Sequence, residues 1–182
     1  MNHEAAPDAS PAAPSLEAID ACHREVLHKL SELNELAARL RTEELDDEWR
    51  AKAQTVHDFF STVSRQHHLD EEHHVFPLLL SGDDHVLAQT VMTLQQDHGW
   101  LEEDWLELSP QLEAIARGYN WYDPETFDHA ARVFGDLYRD HILLEESLIY
   151  PQVRRRIESS PWQGGGREAA QRRRASPDAP EP

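Results

Sequence analysis

Four segments of the sequence carry hydrophobic residues at intervals that alternate between three and four positions. Such steps place side chains on one stripe of a 3.6-residue helix, whereas a strand would show a period of two. Polar or turn-forming stretches separate the segments at 41–47, 81–84 and 118–124. The pattern therefore predicts an all-α chain of four long helices with short connections. The predicted stripe of the second helix is Trp49, Ala53, Val56, Phe60, Val63, His67, Glu71, His74 and Leu78. That of the third is Leu87, Val91, Leu94, His98, Leu101, Trp105, Leu108, Leu112 and Ile115. That of the fourth is Phe127, Ala131, Phe134, Tyr138, His141, Glu145 and Leu148.

Short connections between long helices make neighbours antiparallel, so the predicted architecture is an up-down-up-down antiparallel four-helix bundle. We expect the bundle to cover residues 16–158. The flanking segments 1–15 and 159–182 lack apolar periodicity and are predicted to be a disordered lead-in and a disordered tail. Proline lacks an amide hydrogen and its ring clashes with the preceding turn, so it kinks or breaks a helix. Such kinks or local breaks are expected at Pro77, Pro110 and Pro151.

The charge balance excludes several classes of function. The chain has 17 lysine and arginine residues against 35 aspartate and glutamate residues, a net charge of −18, so it lacks the basic face that binds nucleic acid. No apolar run approaches the ~18 residues that cross a bilayer, and the first 15 residues do not resemble a secretory signal. The single cysteine, Cys22, excludes an internal disulfide and a cysteine-ligated zinc site. We therefore expect an acidic cytoplasmic protein with no nucleic-acid or membrane partner.

Each predicted stripe is interrupted by a histidine, at His23, His67, His98 and His141, and the last three of these are followed four residues later by glutamate. Residues at i and i+4 stand about 5–6 Å apart on one helix face, so each pair can point at a common centre. A buried carboxylate is costly unless it is paired or binds a cation, and no lysine or arginine occupies the neighbouring stripe positions. One such histidine alone is usually a hydrogen-bonded core residue, but the four together indicate a metal site, and seven ligands suit two metals better than one. The predicted ligands are His23, His67, Glu71, His98, Glu102, His141 and Glu145.

The second and fourth helices share a near-repeat, F-x6-H-x3-E-E-x2-[VI]-[FY]-P, which starts at Phe60 and at Phe134. Two helices built alike would present their histidine and glutamate from opposite sides of a bundle. His67 has a counterpart in the repeat and continues the predicted stripe, whereas its neighbour His68 does neither. The repeat therefore favours His67 as the ligand and leaves His68 in reserve.

The other histidines and the second glutamate of each doublet are given lesser roles. Glu72 and Glu146 are predicted to be exposed or to lie behind the ligands, although Glu146 stays open as a replacement ligand. The histidines off the stripes are predicted to be solvated; they are His28, His85 and His129.

The constellation resembles the hemerythrin-like, or HHE cation-binding, family. The resemblance covers about residues 16–158. It rests on the following residues: the isolated His23, His98 in the third helix, His67-His68-x-x-Glu71-Glu72-x-x-Val75-Phe76-Pro77, and His141-x-x-x-Glu145-Glu146 leading to Tyr150-Pro151. It implies a four-helix bundle holding two non-haem iron ions, bridged by carboxylates and an oxo or hydroxo group, that binds O₂ or reacts with it.

The resemblance also implies roles for individual residues. By position, the first iron would be served mainly by His23 and His67. The second would be served mainly by His98 and His141. The bridging carboxylates would be Glu71 and Glu145.

Two departures from the oxygen-carrying members bear on function. Glu102 stands where those members have a second histidine in the third helix, and their fourth-helix carboxylate is usually an aspartate five residues after its histidine, the place of Glu146 here. Carboxylate in place of imidazole favours ferric iron over reversible O₂ carriage. The leading hypothesis is a di-iron protein that binds or senses O₂, NO or a related oxidant such as peroxide, or that handles iron. The alternative is a di-iron redox enzyme acting on peroxide or O₂, and manganese or zinc stay open as replacements for iron.

Overall fold

The computed structural model describes residues 16–42 and 44–159, and every regular element within these ranges is helical. The prediction of an all-α chain with four helices is confirmed. The helices are α1 at Leu16–Leu40, α2 composed of Asp47–Ser61, Val63–Asp70, a π turn at Glu71–Val75 and Phe76–Leu80, α3 at His85–Ala116, and α4 composed of Pro124–Leu144, a π turn at Glu145–Ile149 and Tyr150–Ser159.

The predicted lead-in at 1–15 and the predicted tail, apart from Ser159 at the end of α4, lie outside the described residues. Among the helices that are described, none combines the length and the apolar character required to span a membrane.

The helix ends follow local signals in the sequence. Aspartate side chains accept hydrogen bonds from first-turn backbone amides at the starts of α2, α3 and α4, which satisfies amides that have no partner within the helix. These aspartates are Asp46, Asp84 and Asp123. At the end of α3, Gly118 adopts φ +73°, and its amide and that of Tyr119 bond back to the carbonyls of Ile115 and Ala114. This is the paired closure of a helix that glycine permits, because it has no Cβ to clash at positive φ.

Two apolar clusters fill the interior, with a polar layer between them. Helix α1 packs on α2, α2 on α3, α3 on α4, and α4 on α1, so the four helices enclose one core. One cluster contains residues from the end of α1, the start of α2, the end of α3 and the start of α4. The other contains residues from the start of α1, the end of α2, the start of α3 and the end of α4. Representative members are Leu40, Ala53, Ile115 and Phe127 in the first cluster and Ile19, Leu79, Leu87 and Val153 in the second.

The predicted stripe of α2 is wrong at Val63, which is 47% exposed. Helix α2 is interrupted at Thr62, whose hydroxyl donates to the carbonyl of Asp58 at 2.6 Å. Bonding of a threonine side chain back to the preceding turn bends a helix. Ser64 is buried in place of Val63, four residues after the buried Phe60 and three before the buried His67.

The stripes of α2 and α4 also change after the π turns. In a π turn each amide bonds to the carbonyl five residues before it, so one extra residue is accommodated. The amide of Phe76 bonds to Glu71 in this way, and that of Tyr150 bonds to Glu145. The buried positions therefore shift by one residue, and the predicted His74, Leu78 and Leu148 are replaced by Val75, Leu79 and Ile149.

Proline explains where the π turns lie. Pro77 and Pro151 come directly after the residues that close them. A proline has no amide to donate and its ring would clash with the carbonyl four residues earlier, which a widened turn relieves. At Pro110 no break occurs, because α3 continues through it as a single helix.

Leu108 and Leu106 on α3 provide a matched test of the core. Leu108 is fully buried, so its replacement by alanine should lower the free energy of unfolding by about 2–5 kcal/mol through the cavity that it leaves. Leu106 is 63% exposed, and the same replacement there should change stability by no more than about 0.5 kcal/mol. Urea denaturation at fixed metal content measures both values. Equal losses would contradict the packing of α3.

Candidate metal centre

The polar layer between the two apolar clusters is formed by one histidine from each helix and by two glutamates. Glu71 and Glu145 each begin a π turn, four residues after a histidine of the same helix. All six side chains are buried. They are His23, His67, Glu71, His98, His141 and Glu145.

The two glutamates lie between two pairs of histidines. On one side, His23 Nε2 is 3.2 Å from Glu145 Oε2 and 3.0 Å from His67 Nε2, and His67 Nε2 is 3.4 Å from Glu71 Oε2. On the other side, His98 Nε2 is 3.6 Å from Glu71 Oε2. His141 Nε2 is 3.3 Å from Glu145 Oε1. Each carboxylate therefore contacts one histidine of its own helix and one from another helix.

Two groups of potential ligand atoms share these carboxylates. We define position 1 by His23 and His67 and position 2 by His98 and His141; Glu71 and Glu145 belong to both. Within each group the ligand atoms lie within 4.8 Å of one another. The arrangement can hold two cations side by side, with both carboxylates shared between them.

Several atoms at the centre have no hydrogen-bond partner among the described residues. They are Glu71 Oε2, both carboxylate oxygens of Glu145, His98 Nε2 and both ring nitrogens of His141. The glutamate oxygens lie 3.2–3.6 Å from histidine nitrogens, but the geometry is not that of hydrogen bonds. Buried polar atoms left without partners are costly, and imidazole nitrogens with carboxylate oxygens suit iron, zinc and manganese. The donor set therefore fits a pair of metal ions.

Burial and mutual attraction shift the pKa values of the glutamates and histidines at the centre. Burial raises the pKa of Glu71 to about 7, and the nearby charge of Glu145 adds to the rise. Burial lowers the pKa of His67 to about 3. For His141, burial opposes protonation, but the attraction of Glu145 outweighs it and raises the pKa to about 10. The same attraction holds the pKa of Glu145 well below its ordinary value despite burial. A proton on His141 thus compensates the ionised carboxylate of Glu145 within the centre.

Two tyrosines border the centre on different sides. The Tyr150 hydroxyl donates to Glu71 Oε1 and lies 3.1 Å from His23 Nε2, so it belongs beside position 1. The Tyr138 hydroxyl lies 2.8 Å from His68 Nε2 and also contacts Ser64. Both phenols are buried, and burial raises the pKa of each far enough to keep it protonated.

Two surface cavities reach the histidines from opposite faces of α2. A cavity of about 490 Å³ between α1 and α2 has a mainly apolar lining and reaches His67; its other lining residues include Ile19, Cys22 and Val63. A cavity of about 510 Å³ between α2 and α3 reaches His68 and His98. Each position therefore has a cavity beside it.

Comparison with known proteins identifies the family. Residues 15–153 match the hemerythrin HHE cation binding domain. The chain belongs to the hemerythrin HHE family. A curated relative from Haemophilus influenzae, described as an uncharacterized protein, is 29% identical over 137 residues, which are 74% of this chain and 76% of the relative. No solved structure is significantly similar to the chain.

The hemerythrin centre differs from the predicted one at Glu102, and that prediction is corrected. The side chain is 35% exposed and pairs with Arg65 at 2.9 Å. The stripe of α3 continues from His98 to the buried Leu101, so Glu102 falls at the rim of the bundle. An arginine at the surface compensates a carboxylate without the cost of burying it.

His68, which the repeat left in reserve, is brought to position 2 of this hemerythrin centre. Its ligand atom lies within 4.8 Å of those of His98 and His141, and its ring stacks on that of His98 with centroids 4.1 Å apart. His68 is one position beyond the predicted stripe residue His67, so the stripe gave no reason to place it here. The resemblance to the family, in which two adjacent histidines open the motif, was the available signal.

The remaining sequence predictions have clear outcomes. His28, His85 and His129 are exposed, as predicted. Glu72 and Glu146 contact histidines rather than the shared centre. Tyr138 was predicted only as an apolar stripe residue, and Tyr150 only as part of the repeat.

Alanine substitution separates the shared carboxylates from Glu102. Glu71→Ala or Glu145→Ala should abolish stable loading of two metals, because each removes a group common to both positions. Glu102→Ala should retain both metals, since that carboxylate faces Arg65. Metal per chain after gel filtration measures the outcome. Loss of a metal in Glu102→Ala, with normal loading in Glu71→Ala, would reverse the assignment.

The stability of the metal-free protein should fall as the pH rises from about 7 to about 10. His141 has an ordinary pKa of 6.5 that folding raises to about 10, so its stabilising charge is fully present below 6.5 and is lost as the pH passes 10. The expected loss is on the order of a few kcal/mol. Urea unfolding in chelator measures it, and His141→Gln should remove most of the slope. A wild-type free energy of unfolding that stays constant or rises between pH 7 and pH 10 would contradict protonation of His141.

Proposed function

We propose that this hemerythrin-family protein is a non-haem di-iron protein that binds or senses O₂, NO or a related small oxidant. The observation that carries the proposal is the sharing of Glu71 and Glu145 between two groups of histidines. Two carboxylates common to two positions would hold a cation at each and offset part of the mutual repulsion of the two cations. Bound iron would supply affinity for small diatomic ligands and the capacity to exchange electrons with them.

The proposal includes an up-down-up-down order of the four helices. Its support is the composition of the apolar clusters, in which the end of one helix meets the start of the next throughout. Leu40 of α1 shares a cluster with Ala53 of α2, and Ile115 of α3 shares it with Phe127 of α4. Consecutive antiparallel helices produce this grouping.

The two positions would take unequal roles. Position 2 has three histidines within reach, because His68 joins His98 and His141. Position 1 has two, and the Tyr150 hydroxyl lies beside them. With the same shared carboxylates, position 1 has fewer protein ligands and is the better place for an external ligand.

The surroundings of position 1 favour a small ligand of low polarity. The cavity that reaches His67 is lined mainly by apolar groups, among them Ile19, Cys22 and Val63. O₂ and NO are uncharged and enter such a cavity without the desolvation cost that a charged substrate would bear. The Tyr150 O–H group donates to Glu71 at the same position, and by turning from that carboxylate its single hydrogen would be donated to the external ligand instead.

A redox enzyme acting on peroxide or O₂ is the second candidate, and Tyr150 is the observation that favours it. Reduction of either oxidant consumes protons, and the Tyr150 hydroxyl, hydrogen-bonded to Glu71 and close to His23, can relay a proton by giving up its own as it accepts another, while remaining a neutral phenol. Rapid multi-turnover release of O₂ from peroxide by the iron-loaded protein would place this function first.

Metal analysis of protein purified from its native host tests the leading proposal. We expect two irons per chain and a near-ultraviolet charge-transfer absorption that zinc does not produce. Titration of the reduced protein with O₂ and NO should then give saturable spectral changes. Two zinc or manganese ions, or fewer than two metals per chain, would contradict the di-iron assignment.

A further inference from the structure

The second glutamate of each doublet contacts a histidine of a different helix. Glu72 Oε1 of α2 lies 2.8 Å from His98 Nδ1 of α3. Glu146 Oε1 of α4 lies 3.2 Å from His23 Nδ1 of α1. The doublets therefore work in parallel: the first glutamate reaches the shared centre, and the second reaches the outer nitrogen of a histidine on a neighbouring helix.

These contacts favour one tautomer of the neutral imidazole ring. Neutral histidine carries one N–H, and a carboxylate can only accept a hydrogen bond. A carboxylate at Nδ1 therefore keeps the hydrogen there and leaves the lone pair on Nε2. In His23 and His98 it is Nε2 that faces the shared glutamates, at 3.2 Å from Glu145 and 3.6 Å from Glu71. A histidine fixed in this way is oriented and made a stronger donor toward a metal.

His23 and His98, the two histidines that these glutamates contact, are also the two without a buried glutamate four residues later on the same helix. His67 and His141 each have a buried glutamate four residues later on the same helix. His98 has Glu102 at that offset, but Glu102 pairs with Arg65. The carboxylate nearest to His141 Nδ1 is that of Asp97 at 3.8 Å, which is too far for a hydrogen bond.

We propose that Glu72 and Glu146 are positioning residues that hold His98 and His23 with Nδ1 protonated and Nε2 available to a metal. The proposal rests on the proposed two-metal function. Glu72 acts at position 2 and Glu146 at position 1. Their side chains are 34% and 51% exposed, and partly exposed ion pairs add little to fold stability. Their loss should therefore weaken metal binding while leaving the metal-free fold intact.

The test uses the full chain with Zn²⁺ as a diamagnetic probe. Affinities are measured by chelator competition in wild type and in alanine and glutamine variants of Glu72 and Glu146. Each alanine variant should bind one of the two ions about 10–100-fold more weakly, while the thermal unfolding midpoint of the metal-free chain stays unchanged. The glutamine variants should recover part of the affinity, since the amide oxygen still accepts the Nδ1 hydrogen. Glu103→Ala, an exposed glutamate of α3, is the control and should match wild type.

Long-range ¹H–¹⁵N spectra of the histidine rings give a second readout. The Zn²⁺-loaded wild type should show protonated Nδ1 in His23 and His98, and Glu72→Ala should alter only the His98 signal. Unchanged affinity in both alanine variants, or affinity lost only together with the metal-free fold, would overturn the proposal. A wild-type chain that takes up no metal overturns it along with the proposed function, whereas normal wild-type uptake with unaffected variants overturns this inference alone.

Discussion

Burial of two carboxylates among histidines is the constraint on which the rest of the structure depends. Within the described residues, the ion pairs of Glu71 and Glu145 are all with histidines. Imidazole offers less than a full counter-charge, and the metal-free centre compensates by raising the pKa of Glu71 to about 7 and that of His141 to about 10. The apolar core is consequently divided into two clusters, with every helix contributing one histidine to the layer between them.

The parts of the molecule that follow from local helix geometry could be predicted from the sequence. The stripe of α3 is buried at every predicted position, because an uninterrupted helix keeps its 3.6-residue period from Leu87 to Ile115. The structure also brings together six of the seven predicted site residues, since the offset of four between His67 and Glu71 fixes their shared face whatever the neighbouring helices do. The ends of the helices could also be predicted, because glycine and aspartate end or begin a helix through contacts within one turn of their own position.

The parts that could not be predicted depend on irregular turns and on competition between helices. The two π turns each shift the buried positions by one residue, which a constant period cannot represent, so Val75 and Ile149 are buried in place of His74 and Leu148. Val63 and Ser64 both fit a 3.6-residue period after Phe60, and only the structure shows that Ser64 is the buried one. His68 borders the predicted stripe, and its contacts with His98 and Tyr138 on other helices cannot be inferred from spacing. Glu102 has the same i+4 offset as Glu71, but it lies at the rim beside the buried Leu101 and pairs with Arg65 of another helix. Spacing alone could not distinguish the two glutamates.

The near-repeat explains both the likeness of the two positions and their difference. Corresponding residues of α2 and α4 place histidine, shared glutamate and supporting glutamate in equivalent roles, so the two positions are built alike. The two copies of the repeat differ at two corresponding positions: His68 corresponds to Ile142, and Phe76 corresponds to Tyr150. The first change gives position 2 an additional imidazole, and the second gives position 1 a phenol hydrogen-bonded to Glu71. A symmetric scaffold thereby acquires one position with an additional imidazole and one beside a phenol, and under the proposed function this difference would leave position 1 for the external ligand.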